Sequence, residues 1–279
     1  MGLKTVLTSA LSIFAITAVA ADIPRMSDGK PDLNGIWQVL NTANYNVEPH
    51  AAKAAMSMTS GPFGPVPSKE VVVLGAVGAV PAGLGVVDGG EIPYKPDARR
   101  KQRDNQKNWL AEDPEVRCYL PGVPRATYLP FPFQIHQSDS AIVITYEFAG
   151  AVRNLILNGT EEAPIDSWMG HSNASWDGDT LVVEASGFND RTWFDRAGNH
   201  HTNALKVTER YTLKNEHIME YEATIDDPNV FTKPWKMRMP IYKRVGRDAQ
   251  LQQFKCVQFV EELLYGELRK EPVNKERSE

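Results

Sequence analysis

Three of the chain's six histidines, His171, His200 and His201, share one window with several carboxylates. Imidazole titrates near neutral pH, so such a window is where proton transfer is sought first. His171 sits between Gly170 and Ser172 at a strand entry, where it can serve as a general acid/base or touch a ligand. The competing reading is a structural ring bonded to a backbone carbonyl. His201 lies six residues after Asp195, and pairing with that carboxylate would fix its tautomer. His200 would face the other way on a strand, so only one of the two is expected inside. His171, His201 and Asp195 are therefore the candidate catalytic residues. With Glu209 they have atoms suited to zinc, but their spacing matches no known ligand pattern, so neither a metal nor a cofactor is expected.

The same window interleaves these groups with aromatic rings, from Trp168-Met169-Gly170-His171 through Gly187-Phe188-Asn189-Asp190-Arg191-Thr192-Trp193 to Glu209-Arg210-Tyr211. Polar groups set among apolar walls are how binding pockets are generally built. Trp168, Trp193 and Glu209 are candidate ligand contacts. So are Glu147 and Arg153, read as a cross-strand pair that is either inward-facing or on the rim. The tryptophans also fit an ordinary core. Asp226-Asp227-Pro228 is first a turn signal. There is no Gly-x-Ser-x-Gly elbow, phosphate loop, dinucleotide fingerprint or His-Glu-x-x-His.

The elements that must position these groups are mostly strands. Short runs rich in β-branched and aromatic residues occur at 133–136, 141–148, 152–157, 173–176, 180–185, 205–213, 217–226, 235–244 and 251–259. Asp177-Gly178-Asp179 and Lys214-Asn215-Glu216 mark hairpins. This spacing predicts a mainly β fold, a lipocalin-like antiparallel β-barrel or a sandwich. Gly35-Ile36-Trp37 on the first strand resembles the lipocalin Gly-x-Trp, whose ring is covered by a basic residue from a late strand, here Arg238 or Arg244. Residues 41–115 form a long Gly/Pro-rich insertion with no sustained period. It holds a helix over 96–111, whose basic run reads as a solvated face, a short helix over 51–58 and a strand at 71–74.

The N-terminus has a positive Lys4, an apolar run at 6–19 and the small-x-small motif Ala18-Val19-Ala20, the layout of a secretory signal peptide over residues 1–20. The run is too short for a permanent span, which needs about 20 residues. The expected product is a single soluble domain over 21–279, periplasmic or secreted. Its hydrophobic content of 42% and charged content of 23% are those of a globular protein. A net charge of −5 argues against nucleic acid. Cys118 and Cys256, in an oxidising compartment, read as one disulfide, with two buried thiols as the alternative.

The string Cys118-Tyr-Leu-Pro-Gly-Val-Pro-Arg125, Trp168-Met-Gly-His171, Gly187-Phe-Asn-Asp-Arg-Thr-Trp193, Ile225-Asp-Asp-Pro228 and Thr232-Lys-Pro-Trp235 resembles a secreted bacterial family of mostly uncharacterised proteins. The resemblance runs from Pro31 to about Cys256, and it implies a lipocalin- or calycin-like barrel and an exported product, but no activity. The chain departs from the family at Gln134-Ile-His136, and after Cys256 an acidic, Asn-rich sequel is replaced by Val257-Gln-Phe-Val-Glu-Glu262. The leading expectation is a barrel that encloses a hydrophobic or amphipathic small molecule. The alternatives are a cofactor-free isomerase, lyase or hydrolase working through His171, His201 and Asp195, and a structural or partner-binding envelope protein. Oligomeric state is open.

Overall fold

The computed structural model describes residues 23–53, 58–67, 79–254 and 256–257. The expected signal peptide and the expected strand at 71–74 fall outside these residues, as do 54–57 of the helix expected at 51–58; its described ends are not helical, since Lys53 bridges Val80 and Met58 opens a strand.

Among the described residues eleven strands are formed: β1 (Gly35–Gln38), β2 (Met58–Gly61), β3 (Gly64–Pro67), β4 (Phe133–Gln137), β5 (Ile142–Tyr146), β6 (Val152–Leu157), β7 (His171–Asp177), β8 (Thr180–Ser186), β9 (Lys206–Asn215), β10 (Ile218–Asp226) and β11 (Trp235–Lys243). β2 and β3 make a separate hairpin. The other nine close into a barrel in the order β1-β11-β10-β9-β8-β7-β6-β5-β4 and back to β1. A ring of nine strands cannot alternate direction all the way round, so one pair must be parallel. That seam is β6/β7, whose ladder pairs Ile156 with Asn173 and Leu157 with Ala174. Parallel neighbours need a crossover, and residues 158–170 supply it.

Alternation decides which side chains enter the lumen. On β9, Val207, Glu209, Tyr211 and Leu213 are buried and their neighbours are not; β10 does the same with Met219, Tyr221, Ala223 and Ile225. At the Asp177-Gly178-Asp179 hairpin, Gly178 has φ 59°, a positive angle that costs glycine nothing at the first loop position. Gly35-Ile36-Trp37 also has a physical reason. Trp37 is wholly buried, donates Nε1–H to Leu33 O (2.9 Å) and lies under the ammonium of Lys243 (5.4 Å). Lys243 takes the place expected for Arg238 or Arg244. A Cβ on Gly35 would sit 2.4 Å from Lys243 Cε, at φ 142°, so the glycine clears the path of the lysine.

Between β1 and β4 the chain caps one end of the barrel. Helix α1 (Pro96–Lys107) stops where Asn108 leaves helical geometry, and α2 (Trp109–Glu112) follows, so the expected helix is realised in two pieces. α1 turns its basic run to solvent and buries Gln102, which donates to Ala197 O (2.5 Å). Its backbone rests directly on Gly198, where a Cβ would meet Gln106 N at 2.7 Å. A single turn, α3 (Arg125–Tyr128), leads into β4. The expected strand at 251–259 is absent from its described part. Instead Phe254 packs on Phe131 (4.7 Å) and Phe148 (5.1 Å), and Cys256 is disulfide-bonded to Cys118. Closing a loop of 138 residues stabilises the fold by about 4–5 kcal/mol in the chain-entropy account.

Candidate functional site

The lumen is apolar except at one level. Arg153 on β6 and Glu209 on β9, both buried, form an ion pair through Nη2 and Oε2. Arg153 Nε donates to Ser172 Oγ on β7 (2.8 Å). The other Glu209 oxygen accepts from Tyr211 Oη (2.9 Å) and Tyr221 Oη (2.8 Å). Burial, then the Glu209 charge, hold both phenols well above their ordinary pKa, so they remain donors. Tyr146 on β5 faces the same interior. Two buried donors are left over: Arg153 Nη1 and Tyr146 Oη make no hydrogen bond of ordinary geometry, although Tyr146 lies near enough to Arg153 and Thr127 for both to oppose the upward pull of burial on its pKa. Arg153 opposes Ile144 across the β5/β6 ladder, so Tyr146 is its diagonal neighbour on one face. Val183 and Ala223 oppose Glu209 on the neighbouring strands, and the same inward faces carry Leu155, Met219, Met237 and Ile241, all buried.

The second polar assembly lies in the cap. Residues 193–200 form a tight loop, with Trp193 bridged to His200 and Phe194 N–H bonded to Asn199 O (2.7 Å). Asp195, fully buried, accepts from Val47 N–H (2.8 Å) and from the Asn199 backbone N–H (3.2 Å) and Nδ2 (2.7 Å). Burial raises its pKa to about 7 against the pull of these donors. His201 is not its partner. The ring donates Nδ1–H to Thr202 O (2.8 Å), so in the neutral form Nε2 accepts from Thr192 Oγ1 (2.6 Å). Its tautomer is thus set by a carbonyl, and burial lowers its pKa. His200 is buried as well, contrary to the expected alternation, because the pair leaves a loop rather than lying on a strand. Burial lowers its pKa to about 4.

A buried cluster of two arginines and two carboxylates ties this cap together. Arg125 grips Asp113 with both Nη atoms (2.7 and 2.9 Å), reaches Glu115 (2.7 Å) and donates Nε–H to Asn44 (2.9 Å). Arg196 grips Glu115 through Nε (3.0 Å) and Nη2 (3.1 Å). Burial alone would raise the pKa of Glu115, but Arg196 and Arg125 hold it down at about 2.

The remaining expected residues lie apart. His171 opens β7 on the outer side of the wall, since Ser172 points into the lumen, and its buried Nε2 has no partner. Trp168 packs at a tilt against Tyr119 (4.8 Å) in a surface cleft of about 230 Å³ that also borders Glu112, Arg117 and Arg191. Glu147 does not meet Arg153; it accepts from Gln252 N–H (2.7 Å) of the C-terminal segment. Of the expected residues, Arg153 and Glu209 come together, and Asp195, Trp193 and His201 share the cap loop without forming a catalytic chain. Among the described residues no group of three or more His, Cys, Asp or Glu converges on a metal position.

Tyr146, Tyr211 and Tyr221 escaped sequence reasoning. A usable signal existed for one of them: Tyr211 stands two residues from Glu209 on a strand, hence on the same face. No protein-family model matches the chain, and no curated protein matches it.

Proposed function

We propose that this chain is an exported barrel that holds an uncharged amphipathic molecule, with one carbonyl or hydroxyl oxygen set between Arg153 Nη1 and Tyr146 Oη. The observation that carries this reading is the pair of buried, partnerless donors in an apolar lumen. Such groups cost free energy unless something accepts from them. Glu209 already balances the Arg153 charge, so a further anion would be buried uncompensated, whereas a neutral acceptor would not. Met219, Met237 and Met239 on the neighbouring strands are soft enough to re-pack around an apolar body. Export rests on the N-terminal segment, on the disulfide and on the resemblance to a secreted family. No helix among the described residues is long and apolar enough to cross a membrane.

Native against denaturing mass spectrometry of the protein taken from its own periplasm tests this directly. The expected result is an excess mass that leaves on denaturation and is reduced in Tyr146→Phe. A bare chain that also takes up no long-chain methyl ketone would overturn the reading. One observation favours a second reading, acid–base catalysis: the unbonded Nε2 of His171. On that reading His171→Ala loses turnover while the fold survives. On the carrier reading the same variant still binds.

A further inference from the structure

A cleft of about 160 Å³ lies in the cap, away from the lumen, lined among others by Tyr45, His50, Lys53, Gln106, Trp109 and Arg196. Four properties define its chemistry. First, Arg196 is held as a rigid donor. Glu115 occupies its Nε and Nη2, and its guanidinium lies against Tyr45 (5.5 Å) and Trp109 (5.3 Å), which leaves Nη1 for the cleft. Second, Lys53 brings a further positive charge, and among the described residues the lining contains no carboxylate. The Arg196 charge is cancelled within the Asp113, Glu115 and Arg125 cluster, so the cleft itself carries the surplus of Lys53 and suits a monoanion. Third, His50 donates Nδ1–H to Glu48 O (2.9 Å), so the neutral ring presents Nε2 as an acceptor. That atom has no partner and is buried at the inner end of a ring that borders the cleft, against Gly83, so a hydroxyl reaches it only by pressing into the cleft wall. The ring fits because position 83 is glycine, where a Cβ would stand 2.4 Å from His50 Cε1. Fourth, the space is that of one aromatic ring, since a cavity of about 150 Å³ holds benzene.

The geometry points to a binding site for a hydroxylated aromatic carboxylate. The carboxylate meets Arg196 Nη1 and Lys53, the ring lies along Trp109 and Tyr45, and the hydroxyl donates to His50 Nε2. The site is independent of the lumen reading and stands or falls separately.

Isothermal titration of the full mature chain with 3- and 4-hydroxybenzoate, benzoate and 4-hydroxybenzyl alcohol tests it. One hydroxybenzoate isomer is expected to bind with one-to-one stoichiometry. Benzoate should be roughly three- to tenfold weaker, for one lost hydrogen bond. The alcohol should be weaker by at least about tenfold, for the lost charge-assisted contacts. Lys53→Gln, on the surface, should weaken hydroxybenzoate roughly two- to fivefold without moving the melting temperature. His50→Phe should abolish the preference for hydroxybenzoate over benzoate. Tyr146→Phe should change none of these values. The proposal is overturned if no acid binds, if the alcohol binds as well as the acids, or if Lys53→Gln and His50→Phe both leave the affinities unaltered. Loss of hydroxybenzoate binding in Tyr146→Phe would place the ligand in the lumen and overturn it equally.

Discussion

The molecule buries arginine–carboxylate chemistry twice, and the two clusters differ in completeness. In the cap, Arg125 and Arg196 face Asp113 and Glu115, and Arg125 is engaged through all three of its nitrogens. In the lumen, Arg153 meets Glu209 and Ser172 and leaves Nη1 unbonded beside an unbonded Tyr146 hydroxyl. Burying charge is costly in both places, and only a closed network repays it. The cap cluster is closed at its buried arginine, Arg125, with only the half-buried Arg196 keeping Nη1 at the surface, and it ties together loops far apart in sequence, which is what a scaffold requires. The lumen cluster is open by two donors, which is what a binding site requires.

The largest effect should come from breaking the closed cluster. Arg125→Met strands Asp113 as a buried acid and leaves Glu115 to Arg196 alone, and we expect a loss of about 3–5 kcal/mol in urea unfolding. A loss below about 1 kcal/mol would mean that the cluster is not the tie we take it for.

Titration gives the next effect. Asp195 has a folded pKa near 7, above its unfolded value, so its contribution is fully present below the unfolded pKa, about 3.9, and is lost as pH rises toward 7. His200, at about 4, runs the other way: its contribution is present above the unfolded value near 6.5 and is lost as pH falls toward 4. The two oppose each other across this window. Asp195→Asn should therefore grow more stable relative to the parent as pH rises from 4 to 7, by up to a few kcal/mol. Melting curves of both proteins across that range check the sign, and a constant difference would refute it.

The smallest effect sharpens the contrast inside the lumen. Tyr221→Phe removes a hydrogen bond to a charged oxygen and should cost about 1.5–3 kcal/mol. Tyr146→Phe removes a hydroxyl that makes no hydrogen bond of ordinary geometry and should stay within about 0.5 kcal/mol of the parent, while weakening retention of the molecule proposed for the lumen. Equal losses in the two variants would erase the distinction between bonded and open donors.

Local patterning was enough to determine much of this protein. Runs rich in β-branched and aromatic residues announced β4 to β11, Asp177-Gly178-Asp179 announced a hairpin, and Gly35-Ile36-Trp37 announced a ring under a cation. Alternation shows which face a residue takes, so Glu209 was legible as an inward-facing candidate. It does not show which strands become neighbours around a closed ring. Tertiary structure alone decided that Arg153 meets Glu209, 56 residues away, rather than Glu147. It also decided that an odd number of strands leaves one parallel seam, and that Lys243 rather than an arginine covers Trp37. Asp195 and His201 are near in sequence yet bond elsewhere, because a loop packed under α1 offers each of them closer partners from the backbone. Sequence sets the face and the turn; closure of the barrel sets the partners, because registry between distant strands is fixed only when the whole ring has formed.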